Sequence, residues 1–77
     1  MITVLFFAHL QEIAGMEKLT LDVDQISIKS LKQKLKEEYQ FKNLDQIMFA
    51  INEEYATEDE IIKNGDIVAL IPPVSGG

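Results

Sequence analysis

The run IVALIPPVSGG, residues 67–77, organises the expected fold. Its apolar part, 67–71, predicts a buried strand, and two prolines end that strand because proline has no N–H for a sheet ladder. A residue before proline also favours extended backbone. We therefore expect a globular body at 1–72 and an extended tail at 73–77, roughly 17 Å long, that ends in two residues without side chains.

Length and composition limit the class of protein. A chain of 77 residues forms one domain with one small core. No apolar run approaches the roughly 20 residues of a membrane span, and the first residues do not resemble a signal peptide. We expect a cytoplasmic protein without membrane contact. The chain has no cysteine, which excludes disulfides, thiolate metal sites and cysteine nucleophiles.

The charge is acidic and unevenly placed. The formal net charge is −6, from 13 acidic residues against seven lysines, which disfavours nucleic acid as a partner. The acidic run 58–60 could bind a cation, but adjacent side chains on a turn diverge, so a solvated or docking patch is favoured over a metal site. A lone His9 is interpreted as a surface residue rather than a general base. We expect no bound metal.

Hydrophobic spacing predicts the first elements. Residues 2–7 predict a strand with Ile2, Val4 and Phe6 toward the core and Thr3, Leu5 and Phe7 on the outer face. Residues 8–14 predict a short helix with Leu10 and Ile13 on one side and Gly15 as its stop. Residues 17–24 alternate as a half-buried strand that directs Leu19, Leu21 and Val23 inward.

The rest of the chain predicts one long helix and three further strands. Ser27 is predicted to be the N-cap of the long helix. Ile28, Leu31 and Leu35 follow at helical spacing and form an apolar stripe, which Tyr39 or Phe41 completes. Strands are expected at 47–51, 55–56 and 67–71. Residues 57–63 are interpreted as an irregular or helical turn in which Ile61 or Ile62 enters the core. The turn 63–66 starts the last strand.

This order predicts an α+β fold. One long helix after an antiparallel pair of strands covers a mixed sheet. If the first and last strands lie parallel at the centre, the architecture is the β-grasp roll. Alternation then places Phe7 and Ile71 on the outer face with Tyr55 beside them. Large apolar side chains on an outer face indicate a partner interface.

The segments VLFFAHLQEIAG, NGDIVALIPP and PPVSGG together resemble the small, sulfur-carrier subunit of molybdopterin synthase, in the MoaD/ThiS ubiquitin-like family. The resemblance spans essentially the whole chain. It implies a heterotetramer, two of each subunit, in which the large subunit holds the active site. This chain would be the non-catalytic part of that sulfurtransferase and would bind no cofactor.

The resemblance also implies a reaction at the last residue. An ATP-dependent adenylyltransferase, similar to the enzyme that activates ubiquitin, would convert the Gly77 carboxylate to a glycyl adenylate. A persulfide sulfur would then replace AMP and leave a thiocarboxylate, 1-thioglycine. The tail (Pro73, Val74, Ser75 and Gly76) would enter the large subunit and deliver sulfur to cyclic pyranopterin monophosphate.

Other functions share the same terminus. A sulfur carrier for thiamin thiazole synthesis, or a ubiquitin-like modifier that forms isopeptide bonds, would use an activated glycine with a different recipient. A passive β-grasp binding module would need no defined terminus. A frayed, functionless end is the ordinary state of chain termini, but the prolines and the match along the chain favour a carrier.

Overall fold

The computed structural model describes residues 1–39, 41 and 44–72. The predicted tail, 73–77, lies outside the described residues. In chain order the elements are β1 (Ile2–Phe6), α1 (Leu10–Ala14), β2 (Lys18–Leu21), β3 (Gln25–Ser27), α2 (Ile28–Tyr39), a 3₁₀ turn (Leu44–Gln46), β4 (Met48–Ile51), β5 (Glu54–Ala56), β6 (Ile61–Lys63) and β7 (Ile67–Ile71). No helix in these described ranges is long and apolar enough to cross a membrane.

Five strands form one mixed sheet in the order β2-β1-β7-β4-β5. The strands β1 and β7 run parallel, with Val4 opposite Val68, while the other pairs are antiparallel. Alternate side chains of the central strands β1 and β7 are buried, because successive residues of a strand point to opposite faces. The predicted α+β β-grasp architecture is therefore confirmed.

The long helix α2 covers the inner face of this sheet. The backbone N–H of Ser30 donates to Ser27 Oγ at 3.0 Å, so the predicted cap is confirmed. Ile28, Leu31 and Leu35 are buried as expected. The stripe is completed by Phe41, whose ring stacks on Phe6 with 5.6 Å between the centroids.

The prediction of an irregular or helical turn at 57–63 is wrong in its second half. Residues Ile61–Lys63 form β6, which pairs antiparallel with β3 and places Ile62 opposite Ile26. Ile62 is fully buried and Ile61 is exposed. Two three-residue strands that are distant in the chain are too short to show a period of two, so their pairing leaves almost no local signal.

The segment before β6 also completes the start of α2. The carbonyl of Glu60 accepts a hydrogen bond from the N–H of Ile28 at 3.0 Å, and the carbonyl of Glu58 accepts one from Lys29 at 3.2 Å. The first N–H groups of a helix have no partner within the helix. This segment supplies two of the missing acceptors.

The predicted first helix and second strand are shorter than expected. Ala8 has φ +53°, outside the helical region, so the helix begins at Leu10. Gly15 ends it at φ +75°, as predicted. Leu10 is buried, but Ile13 is exposed because so short a helix brings only part of its apolar side to the core. The strand predicted at 17–24 narrows to Lys18–Leu21.

Candidate functional site

The outer face of the five-stranded sheet has a floor of two alanines. Strand register places Leu5 opposite Ala69, Ala69 opposite Ala50, and Ala50 opposite Tyr55. One transverse row therefore has large side chains at its ends and the smallest ones in the middle. Ala50 is buried, yet it is not part of the core cluster beneath the sheet. The row makes a depression in a face that would otherwise be level.

This depression is an open groove of about 600 Å³. Three large apolar side chains beside it are strongly exposed: Phe7 at 44%, Ile67 at 46% and Tyr55 at 66%. The residues that line the groove are Leu5, Phe7, Ala50, Asn52, Glu53, Tyr55, Ile67, Ala69 and Ile71. A contiguous apolar patch of this kind on a small domain marks a surface for a partner. We refer to it as the apolar groove.

The structure brings the three predicted interface residues together. Phe7, Tyr55 and Ile71 all line the apolar groove, although Phe7 lies just beyond the end of β1 rather than within it. Their contact with a partner stays a prediction. The other predicted site residues (Pro73, Val74, Ser75, Gly76 and Gly77) lie outside the described residues.

Sequence reasoning missed the floor and one wall of the groove. Ala50 and Ala69 carry no signal of their own, since alanine is common in both cores and surfaces. Ile67 could have been found, because alternation along β7 puts it on the same face as Ile71. The alanine floor depends on the register of β4 against β7, which the sequence does not state.

The groove reaches the end of β7 from which the chain continues into the tail. Ile71 is the last residue of β7 and lies opposite Met48, which is 46% exposed. Phe7 follows Phe6, the partner of Leu70 in the parallel pair. The apolar groove therefore extends to Ile71, and the chain continues from there through Pro72 into the sequence PVSGG.

A polar network holds the opposite end of the groove. The Asn52 side-chain amide donates to Asp66 Oδ1 at 3.0 Å, and the Asn52 side-chain oxygen accepts from the N–H of Ile67 at 3.0 Å. Asp66 Oδ2 accepts from the N–H of Lys63 at 2.9 Å. The bonds from Lys63 and then from Asn52 lower the pKa of Asp66, because both stabilise its charged form.

The acidic run is partly engaged in an ion pair. Glu58 lies 2.9 Å from the ammonium of Lys32, which also sits 5.4 Å from the centroid of the Phe49 ring. The hydrogen bond and charge of Lys32 hold the pKa of Glu58 below its usual range. Within residues 1–39, 41 and 44–72, no three acidic or histidine side chains cluster as metal ligands would. Metal chemistry gains no support from this run.

A second depression, of about 640 Å³, follows α2 on the other side of the molecule. It is lined largely by charged side chains, with Lys29, Lys32 and Lys36 opposed by Glu37 and Glu58. Both signs of charge meet there, and the ion pair of Lys32 with Glu58 crosses it. Its two apolar lining residues, Phe41 and Leu44, are buried and belong to the core, so they offer a partner little apolar surface. This depression is therefore a weaker candidate than the apolar groove.

Fold and groove together define a ubiquitin-like β-grasp protein with an apolar sheet face beside its C-terminal strand. Comparison with known proteins agrees with this class. The model described as "ThiS family" matches residues 4–77, and the chain belongs to the ThiS family.

One relative and two solved structures indicate the range of similar proteins. The molybdopterin synthase sulfur carrier subunit of Arabidopsis thaliana is 38% identical, over 99% of this chain and 82% of the relative. One chain of a protein–protein complex of subunits 1 and 2 of the molybdopterin-converting factor from Helicobacter pylori superposes with a TM-score of 0.70 at 27% identity, over 99% of this chain and 97% of that chain. The small archaeal modifier protein 1 of H. volcanii superposes with a TM-score of 0.78 at 28% identity, over 95% of this chain and 97% of that chain.

Proposed function

We propose that this chain is the sulfur carrier of molybdenum cofactor biosynthesis, the small subunit of molybdopterin synthase. The observation that carries the proposal is the apolar groove, which extends along the sheet to the end of β7, directly before the sequence PPVSGG. Membership of the ThiS family and the relative from Arabidopsis thaliana support it. The groove would hold the partner, and the tail would enter that partner's active site.

The chemistry explains why a carrier needs an activating partner. The carboxylate of Gly77 is a poor electrophile, because its negative charge repels nucleophiles and its oxygen leaves poorly. An adenylyltransferase supplies the leaving group: the carboxylate attacks the α-phosphate of ATP, and pyrophosphate departs. A persulfide sulfur then attacks the carbonyl and AMP leaves. Cleavage of the remaining S–S bond by a second thiol releases the thiocarboxylate, 1-thioglycine.

The tail sequence suits transfer between two closed sites. Gly76 and Gly77 have no Cβ, so their backbone can approach other surfaces closely. Pro72 and Pro73 restrict the backbone, which lowers the entropy lost when a tail enters a channel. Sulfur is carried on the terminal carbonyl, and a chain without cysteine is compatible with that role.

The partner proposed for the apolar groove is the large subunit of molybdopterin synthase. Subunits 1 and 2 of the molybdopterin-converting factor from Helicobacter pylori form a complex, and one chain of that complex shares this fold. The side chains of Phe7, Tyr55 and Ile71 would provide the apolar anchors of the interface, since a few central aromatic and aliphatic residues carry most of an interface's energy. Two copies of each subunit would form a cytoplasmic heterotetramer, with sulfur delivered to cyclic pyranopterin monophosphate on the large subunit.

Intact mass measurement tests the proposal. The purified chain is incubated with its adenylyltransferase, ATP and a persulfide donor, and then with the large subunit and cyclic pyranopterin monophosphate. We expect the mass change of one oxygen-to-sulfur exchange, reversed when the large subunit and the pterin are added. The control is the same chain without Gly77. A chain that is never converted, or whose sulfur the large subunit cannot use, would exclude this function.

The similarity to a small archaeal modifier protein supports a second candidate function, that of a ubiquitin-like protein modifier. A modifier would form an isopeptide bond from Gly77 to a lysine of another protein, and the same mass measurement on a cell extract would show lysine-linked adducts. A carrier for thiamin thiazole synthesis would instead give the thiocarboxylate, with no transfer to the pterin. The recipient of the activated glycine therefore separates the three functions.

A further inference from the structure

We infer that Asn52 and Asp66 act together as positioning residues for partner binding, because they hold the Tyr55 side of the apolar groove in place. The inference rests on the proposed function, in which the groove receives the large subunit. We call this pair the Asn52–Asp66 clamp. It lies at the end of the groove remote from Ile71, the last residue of β7, and Asn52 itself lines the wall there.

The clamp joins two turns that come from different parts of the chain. Asn52 begins the turn between β4 and β5, and Asp66 ends the turn between β6 and β7. Besides the two side-chain bonds of Asn52, its own N–H donates to the carbonyl of Ile67 at 2.8 Å. Asp66 is held in turn by Lys63, and its carbonyl accepts from the N–H of Thr3 at 3.1 Å. The pairing of β4 with β7 is thereby extended beyond Ile51, the last residue of β4.

Tyr55 needs such support because little else fixes its position. It lies on β5, an edge strand of three residues whose sheet neighbour is β4. Its side chain is 66% exposed, so packing constrains it weakly. Its distance from Phe7 and Ile71 across the groove is therefore set by the backbone of the β4–β5 hairpin. That hairpin is anchored to the start of β7 by Asn52.

The conformation of the turn does not by itself require asparagine. Asn52 and Glu53 have φ of +50° and +72°, a pair of left-handed residues typical of tight hairpins. Glycine adopts such angles most easily, and asparagine tolerates them better than most other residues. What asparagine adds is a donor and an acceptor, and both are used by Asp66 and Ile67.

The first variant removes the clamp but keeps the turn. Asn52→Gly preserves a residue that tolerates positive φ and deletes both side-chain bonds. Titration calorimetry with the purified large subunit of molybdopterin synthase should show an affinity about tenfold weaker, equivalent to about 1.4 kcal/mol. Ala8→Gly is the matched control, because it introduces glycine at another left-handed position, φ +53°, that lies outside the clamp and does not line the groove; its affinity should equal that of the unsubstituted chain.

A charge exchange separates positioning from general stability. Asn52→Asp alone puts two carboxylates 3.0 Å apart and should weaken binding at pH 7. Adding Asp66→Asn restores a carboxylate facing an amide, with acceptors left for both Ile67 and Lys63, and should recover the affinity. If the clamp acts through Tyr55, then Asn52→Gly should cause no further loss in a Tyr55→Ala background, whereas a merely structural effect would add to it.

The possible failures are distinguishable. An unsubstituted chain that does not bind the large subunit would overturn the proposed function and this inference with it. Normal binding by the unsubstituted chain together with unchanged binding by Asn52→Gly, or additive losses with Tyr55→Ala, would overturn the inference alone. Thermal melting of each variant, followed by circular dichroism, should show a folded protein throughout; weakened binding that merely tracks a collapse of the fold would also overturn it.

Discussion

Ala50 of β4 lies directly opposite Ala69 of β7 on the outer face of the sheet. Leu5 and Tyr55 flank the two alanines in that row, so the alanines create the space between them. A partner that docks here must place a projecting side chain over the alanines to fill that space.

Ala69→Leu should fill the groove and weaken binding to the large subunit by at least tenfold, because the added side chain excludes the partner's own. Melting temperature should change little, as Ala69 points away from the core beneath the sheet. Binding is measured by titration calorimetry. Thr20→Leu is the control, because it introduces the same side chain at an exposed position of β2 that does not line the groove. An equal loss of affinity in that variant would contradict the role of the alanine floor.

Phe7→Ala and Ile71→Ala should each weaken binding to the large subunit by about 1–3 kcal/mol, since apolar anchors near an interface centre carry most of its energy. Both variants should melt like the unsubstituted chain. Ile61→Ala is a matched control: Ile61 is 45% exposed but does not line the groove. Unchanged affinity in both groove variants would show that the outer face is not the interface.

Gly76→Val should leave the melting temperature unchanged and slow sulfur transfer. A β-branched side chain close to the reacting carbonyl would meet the walls of a narrow channel, and a misplacement of about 1 Å can reduce a rate roughly a hundredfold. The assay is single-turnover transfer with semisynthetic thiocarboxylate, which bypasses activation. A parallel variant with one residue added after Gly77 should be inactive. Transfer at the normal rate by Gly76→Val would remove the argument from missing side chains.

Acid should destabilise the chain, and Asp66 should account for part of that effect. Its folded-state pKa is lowered by the bonds from Lys63 and Asn52, so its stabilisation is complete above the unfolded-state pKa of about 4. That stabilisation is lost as the pH falls through the lower folded-state value. The free energy of unfolding in urea should therefore fall less between pH 7 and pH 3 for Asp66→Asn than for the unsubstituted chain. The control is Asp59→Asn, which removes a surface carboxylate outside this network; its free energy of unfolding should fall as much as that of the unsubstituted chain.

Phe41→Ala should cost about 3–5 kcal/mol of unfolding free energy, the range measured for truncation of a large buried aromatic residue. Phe41 is buried and stacks on Phe6, so its removal leaves a cavity under α2 and takes away a ring contact. Urea unfolding at pH 7 measures the change. Phe7→Ala provides the comparison on the outer face, and its cost should be much smaller. Equal costs would mean that Phe41 is not part of the core.

The sequence by itself determined the features that repeat within one element. Alternation along β1 and β7 assigned buried and outward residues, and the helical spacing of Ile28, Leu31 and Leu35 identified the core side of α2. The end of β7 was also predictable, because Pro72 acts on its own backbone and on the residue before it. Each of these signals is local, and that is why it could be recognised without a structure.

Only the tertiary structure decided which distant residues meet. The pairing of β3 with β6, the stacking of Phe41 on Phe6 and the alanine floor each depend on how elements are placed after the chain has folded. The Asn52–Asp66 clamp is similar, since neither turn specifies the other. Strand register and loop closure are set by the packing of the whole core. If a strand slipped by one residue against its neighbour, all of its side chains would move to the opposite face of the sheet. The physical reason is that local periodicity decides which way a side chain points, whereas the burial of apolar surface over the whole core decides which residues become its neighbours.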